Sequence, residues 1–349
     1  MIPLAIPSMN GCETWHVLSA LNAVELAAGP FVQRFEQVVA DFTGARYAVA
    51  MSSGTAALHI ALLTAGVGAN DKVIVPATTF IATANAVRYC GAEPVILDVE
   101  PDTWGLAPNI LAEYLKDHRV AAILPVHLYG TPCLRDSILG LAGRYGVPVV
   151  EDSAEALGAR YKGLRLGSEG THALSFNGNK LITTGGGGML LTDNARVDEM
   201  ARYLIGQAKL DDASLTYGSG FNYRMPNLNA ALGYGQMESI DQRLEAKRAA
   251  HVFYEGALPG VFEPPMWCRS SCWLSAVHVR DAESAVVRLR DVGIDCRMVW
   301  RPLNQQPGLK DCAPYETPCA AALYREWLML PSSVGITPEE QMRVIEALA

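Results

Sequence analysis

The sequence predicts an α/β fold: a large domain with a mainly parallel sheet between helices, then a smaller C-terminal α+β domain. Two observations predict it. From about residue 46, five short Val/Ile-rich runs alternate with helix-like ones, the pattern of a parallel sheet covered on both faces. Beyond Pro259 the texture changes. The chain of 349 residues has room for two such units.

The elements follow in order. "RYAVAMS" reads as a strand and "SGTAALHIALLTAG" as a buried helix. "KVIVP" precedes "IATANAVRYCG", and "EPVILDV" precedes "APNILAEYLKDH". "VAAILPVHL" precedes "RDSILGLAGRYG", and "VPVVED" follows. "HALSFNG" and "GGMLLTD" complete the strands. "PNLNAALGYGQMESIDQRLEAKRAAHVFYEGAL" reads as one long helix with Pro226 in its first turn. "CWLSAVHV", "AESAVVRLRDVG" and "IDCRMVW" suggest the smaller domain. The boundary is expected near residue 240, giving units 1–240 and 241–349.

The bulk chemistry narrows the function classes. The formal charge is −8, without a basic run, which argues against nucleic acid as a partner. No apolar segment reaches the roughly 18–20 residues needed to cross a bilayer, and the start lacks a signal-peptide pattern. Eight scattered cysteines are expected to be reduced thiols in a cytoplasm. Cys268 and Cys272 form C-x3-C without a second pair, so no metal is expected.

Three stretches carry chemistry. "SSGTAAL" from Ser52 follows a strand and opens a helix. Its backbone N–H groups at a positive helix end suit a phosphate; an ordinary cap by Ser53 or Thr55 is the alternative. "VPVVEDSAEALGARYKG" ends a strand on Glu151, Asp152 and Glu155. An acid there sits where parallel sheets bind ligands, or else caps a solvated loop. "SFNGNKLITTGGGGML" places Lys180 beside Phe176, Leu181 and Ile182, with glycines after it. Desolvation lowers a lysine's pKa, and a neutral amine attacks carbonyl carbon. Lys180 is the best nucleophile candidate.

A phosphate cradle, an acid and an amine are what pyridoxal 5′-phosphate needs. The order, with Lys180 28 residues after Asp152, fits fold type I, the aspartate-aminotransferase-like class with its seven-stranded sheet. A nicotinamide dehydrogenase is disfavoured, because no G-x-G-x-x-G follows the first strand.

The chain then resembles the DegT/DnrJ/EryC1/StrS aminotransferases in six stretches. They are "SSGTAALHIAL", "VIVPATTFIATANAV", "GAEPVILDV", "VVEDSAEALGA", "SFNGNKLITTGGGGML" and "GFNYRMPNLNAALG". Within that family it looks most like the branch making 4-amino-4,6-dideoxy sugars of the bacillosamine and legionaminic acid type. Glu155 stands where many relatives carry His or Gln, and "TTGGGG" replaces "TTGEGG", taken here as a departure at Gly185.

The resemblance implies residue roles. Lys180 bonds the cofactor and shuttles protons. Asp152 holds the pyridine nitrogen, and Phe80 stacks on the ring. Gly54, Thr55, Ala56 and Ser175 contact the phosphate. Glu155 lies near the 3′-oxygen. Asn222 reaches the phosphate of a neighbouring subunit, so a homodimer with shared active sites is expected. Arg224 helps hold that crossing loop. Asn179, Arg224, Arg297 and Arg301 are assigned to substrate, and Asn304 departs from the usual "PLH".

The implied reaction moves an amino group from an amino acid, L-glutamate, to the C4 ketone of a UDP-linked 4-keto-6-deoxy-HexNAc for cell-surface glycans. The alternatives are a dehydratase or 3-aminotransferase of the same family, another fold-type-I activity, and a non-catalytic nucleotide-sugar-binding protein. The dehydratase branch has His at the lysine position, so Lys180 argues against it.

Overall fold

A computed structural model describes residues 1–209, 216 and 218–348. Its centre is a sheet of seven strands: β1 (Tyr47–Met51), β2 (Lys72–Pro76), β3 (Glu93–Leu97), β4 (Ala122–Ile123), β5 (Glu151–Asp152), β6 (Thr171–Ser175) and β7 (Gly188–Thr192). The spatial order is β3-β2-β4-β5-β6-β7-β1. Parallel bridges Ile123–Val149 and Val126–Asp152 join β4 to β5. Only β7 runs against its neighbours, pairing Leu190 with Val49 on one side and Ala173 on the other.

The Val/Ile-rich runs form strands because both sheet faces are covered. Along β1, Val49 and Met51 enter one core cluster, and Ala48 and Ala50 enter another. Along β2, Val73 and Val75 face the first cluster, and Ile74 faces a third. This is the period of two that a pleated strand imposes.

Beyond the large sheet, strand Ser275–His278 pairs antiparallel with Trp327–Leu330, which pairs with Arg297–Met298. This small sheet shares a core with Tyr254, Leu289 and Val344. Ile2 lies in the same cluster and bridges Ile294. The first residues therefore join the core of the small sheet. Among the described residues, no helix is long and apolar enough to cross a membrane. The eight cysteines are free thiols.

The single long helix expected after residue 225 is two helices, Asn227–Met237 and Ile240–Ala257, with Pro226 as the N-cap of the first. Two causes are visible. Gly233 and Gly235 weaken the first helix and are required by packing: a Cβ on Gly235 lands 2.7 Å from the Glu13 Cα. At the break, Ser239 takes a non-helical φ of −120°. Its hydroxyl accepts from Asn10 Nδ2 and Arg243 Nε, each at 2.9 Å.

Candidate active site

A cavity of about 290 Å³ opens at the C-terminal ends of the parallel strands, where such sheets bind ligands. Gly54, Thr55, Phe80, Thr83, Asp152, Glu155, Ser175, Asn179, Lys180, Gly186, Trp273 and Trp300 all line it. The three stretches singled out in the sequence converge here.

The helix Gly54–Thr64 begins at the cavity edge. Ser53 Oγ accepts from the Ala56 N–H at 3.0 Å, an N-cap of the ordinary kind. The Ala56 donor is therefore occupied. The first-turn N–H groups of Gly54 and Thr55 have no intrahelical partner by geometry. Ser175, from the end of β6, stands beside them. Glycine is needed on both sides of this contact. A Cβ on Gly188 lands 2.4 Å from the Ser53–Gly54 backbone, and one on Gly54 lands 2.8 Å from the Ser175 Cβ.

The structure sorts the three acids, which the sequence leaves open. Glu151 points away from the cavity, between His127 Nε2 (3.1 Å), His172 Nε2 (3.2 Å) and Arg135 Nε (3.0 Å). Burial opposes its charge, but His172 and His127 hold the carboxyl well below the usual range. This His–Glu–His group has metal-like spacing, yet its donor atoms are engaged. His127 Nδ1 accepts from the Cys133 N–H at 3.2 Å, so Nε2 carries the proton toward Glu151.

Asp152 faces the cavity. Thr83 Oγ1 donates to Oδ2 at 2.9 Å, and the Ala154 N–H donates to Oδ1 at 3.1 Å. Both are neutral donors. Burial raises its pKa, and these donors and the Lys180 charge pull it back only in part. A protonated ring nitrogen would supply the cationic hydrogen-bond partner these contacts omit.

Glu155 is the third acid. Its Oε2 accepts from the Tyr129 N–H at 2.7 Å, and its Oε1 lies 3.5 Å from Lys180 Nζ. Burial raises its pKa; the Lys180 charge and the Tyr129 N–H oppose the rise. Lys180 Nζ also sits 3.9 Å from the centroid of the Trp273 ring, a cation–π contact. Its side chain is 13% exposed. The apolar neighbours in sequence are thus not its surroundings in space: a carboxylate and an indole face are.

Phe80 is half exposed at the cavity rim, its ring 5.2 Å from Trp300. Other expected residues stand apart from this cavity's wall. Asn222 is exposed and bridges Gly206. Arg224 is exposed and bridges Met51. The Tyr223 carbonyl between them accepts from the Ser52 N–H at 2.8 Å, which ties this loop beside the helix end. Arg297 lines a neighbouring cavity. Arg301 is exposed, with its guanidinium 4.8 Å from the Tyr324 ring. Asn304 Oδ1 accepts from the Thr317 hydroxyl at 3.0 Å.

The departure from "TTGEGG" is corrected by one position. Letter by letter it falls on Gly186, which lines the cavity and has open space where a Cβ would stand. Gly185 has φ +75°, which favours glycine whatever the family pattern.

Sequence reasoning missed Thr83, Tyr129, Trp273 and Trp300. The Trp300 signal was present, an indole beside Arg301 in the small-domain segment. Tyr129 had none, because its role depends on a left-handed backbone (φ 51°, ψ 20°).

The residues fit pyridoxal phosphate. They supply free N–H donors and a hydroxyl where added Cβ atoms would clash, a buried acid bonded only to neutral donors, and an amine in the same cavity. Comparison with known proteins agrees. The model of the DegT/DnrJ/EryC1/StrS aminotransferase family matches residues 8–349. GDP-perosamine synthase of Caulobacter vibrioides is 39% identical over 363 residues, covering 99% of this chain and 97% of that protein. The GDP-perosamine synthase of Escherichia coli O157:H7 is 33% identical, covering 99% and 97%. The crystal structure of S. venezuelae DesV superposes with a TM-score of 0.91 at 30% identity, covering 96% of this chain and 92% of that one. The chain belongs to the DegT/DnrJ/EryC1/StrS family. It is a pyridoxal-phosphate-dependent sugar aminotransferase of fold type I.

Proposed function

We propose, on the premise of that membership, that the enzyme aminates the C4 ketone of a nucleotide-linked 4-keto-6-deoxy hexose, with L-glutamate as donor. The observation that carries it is the meeting of Lys180, Asp152 and the Gly54–Thr55 donors in one cavity. The C4 position is supported by two relatives named GDP-perosamine synthase, which are GDP-sugar 4-aminotransferases. They favour GDP over the UDP expected from the sequence, and they do not support a bacillosamine or legionaminic acid product.

When bound, pyridoxal phosphate supplies an aldehyde that takes up an amine and a ring that draws off electron density. The chain does the rest. Gly54, Thr55 and Ser175 hold the phosphate. Asp152 keeps the ring nitrogen protonated, and Thr83 and Ala154 fix the orientation of its carboxylate. Lys180 carries the covalent attachment through Nζ and, when free, moves a proton to and from the reacting carbon. Glu155 holds that amine inside the cavity while it is free, 3.5 Å from its Oε1.

The enzyme is proposed to work as a homodimer. Asn222 then serves the partner's phosphate site, consistent with its exposure away from the cavity. Trp15 and Leu18, three residues apart on the helix Cys12–Asn22, and Val24 just beyond it are exposed, apolar surface suited to such a contact.

The test is incubation with L-glutamate and a panel of GDP- and UDP-linked 4-keto-6-deoxy sugars, with products identified by mass and NMR. Amination at C4 is expected, fastest on a GDP-linked sugar. Amination at C3, or dehydration without nitrogen transfer, would overturn the reading.

A further inference from the structure

Two buried polar atoms on the cavity wall, Asn179 Oδ1 and Trp300 Nε1, have no hydrogen-bond partner among the described residues. Buried polar atoms are normally paired, and here both residues line the active-site cavity. Trp300 Nε1 lies close enough to Glu155 to favour its charged form, yet outside hydrogen-bonding geometry.

Neither residue is loose. The Asn179 main-chain carbonyl accepts from Trp273 Nε1 at 2.9 Å. The Trp300 backbone N–H donates to the Tyr129 hydroxyl at 3.0 Å. The Tyr129 ring stacks between both indoles, with centroids 6.1 Å from Trp273 and 6.2 Å from Trp300 and planes 18° and 19° apart. Its backbone is held in the left-handed region at φ 51°. Strain of that kind persists only where the surroundings over-determine it. The backbones of Asn179 and Trp300 and the Trp300 ring are thus held in place, while Asn179 Oδ1 and Trp300 Nε1 stay unpaired among the described residues.

We propose that Asn179 and Trp300 together read a hydroxyl on the sugar carbon next to the ketone. Asn179 Oδ1 accepts its proton, and Trp300 Nε1 donates to its oxygen. The inference rests on the substrate reading above and adds which part of the sugar the site inspects. A hydroxyl is the group that both donates and accepts at one atom. A ketone or carboxylate only accepts, an ammonium only donates, and a methyl does neither. The position is part of the proposal, suggested by what lies beside the two residues. Asn179 precedes Lys180, the amine that must reach the reacting carbon. Trp300 lies toward Glu155, whose other neighbour is Lys180 Nζ at 3.5 Å. Sites that pair a substrate hydroxyl reject the analogue lacking it far more strongly than apolar pockets reject a missing methylene.

The test measures kcat/KM of wild-type and Trp300→Phe holoenzymes on a nucleotide-linked 4-keto-6-deoxy sugar and on its 3-deoxy counterpart. The wild type should prefer the hydroxylated sugar by about 100-fold or more. Trp300→Phe keeps a ring and loses the N–H. It should lose about 10- to 100-fold on the hydroxylated sugar and at most about threefold on the deoxy one. Asn179→Ala should repeat the pattern. Circular dichroism and the absorbance of lysine-bound cofactor confirm that each variant is folded and loaded. Equal losses on both sugars, or no loss on either, overturn the inference. A wild type that aminates both sugars equally also overturns it, while the substrate reading stands. A wild type that takes nitrogen from glutamate but aminates neither sugar sinks both.

Discussion

Lys180 and Lys247 are both withdrawn from bulk water, and they flank one tryptophan. Lys180 Nζ lies over the Trp273 ring at 3.9 Å, beside the Glu155 carboxylate, in an open cavity. Lys247 Nζ donates to the Trp273 carbonyl at 2.9 Å and to the Ser332 carbonyl. Burial pushes the Lys247 pKa down to about 7. Low pKa is often taken as the mark of a nucleophilic lysine, yet Lys247 spends its amine on main-chain acceptors. Burial sets up chemistry only where a carbonyl substrate can also arrive. The sealed lysine instead holds the backbone of the indole that the open one faces.

The comparison can be broken most sharply at Lys180. Lys180→Ala should cut turnover at least ~10³-fold and abolish the absorbance of lysine-bound cofactor, read by assay and spectrum together. Asp152→Asn is next. It keeps the shape and the Ala154 N–H bond, turns the Thr83 hydroxyl into an acceptor from the new amide and removes the charge, and should slow kcat about 10²–10³-fold while cofactor still binds.

Gly188→Ala tests the cradle. Its Cβ would lie 2.4 Å from the Ser53–Gly54 backbone. It should cost about 1–3 kcal/mol of stability and weaken cofactor binding, measured by thermal denaturation with and without cofactor. Gly186→Ala, with open space at its Cβ, should stay within about 0.5 kcal/mol.

A pH dependence sharpens the other side. The Lys247 pKa is depressed in the folded state, so the unfolded chain binds its proton more readily. The resulting penalty is complete below about pH 7 and is relieved as pH rises toward the ordinary lysine value near 10.5. The stability of the wild type relative to Lys247→Met should therefore increase with pH across that window, by at most about 1.4 kcal/mol per unit. Denaturant titrations at several pH values check it. A flat difference would mean that the amine keeps its proton.

Much of this site was legible because its parts are local. A strand ending in Asp152, a helix opening at Gly54 and a lysine before glycines each announce themselves within a few residues. All three open on one cavity because strand ends in a parallel sheet share an edge. What could not be read depends on distance in the chain. Tyr129 lies 26 residues before Glu155 and contacts it through a left-handed turn. Trp273 and Trp300 stand 93 and 120 residues after Lys180. Glu151 and Asp152 are adjacent acids with opposite fates, because successive side chains on a strand point to opposite faces. The break at Ser239 escaped for a related reason: its hydroxyl is engaged by Asn10, from the far end of the chain.

The most direct measurement is to reduce the loaded enzyme with borohydride, digest it and locate the cofactor adduct by peptide mass spectrometry. The adduct is expected on the peptide holding Lys180 and nowhere else. An adduct on Lys247, or none on Lys180 in an active enzyme, would contradict the account.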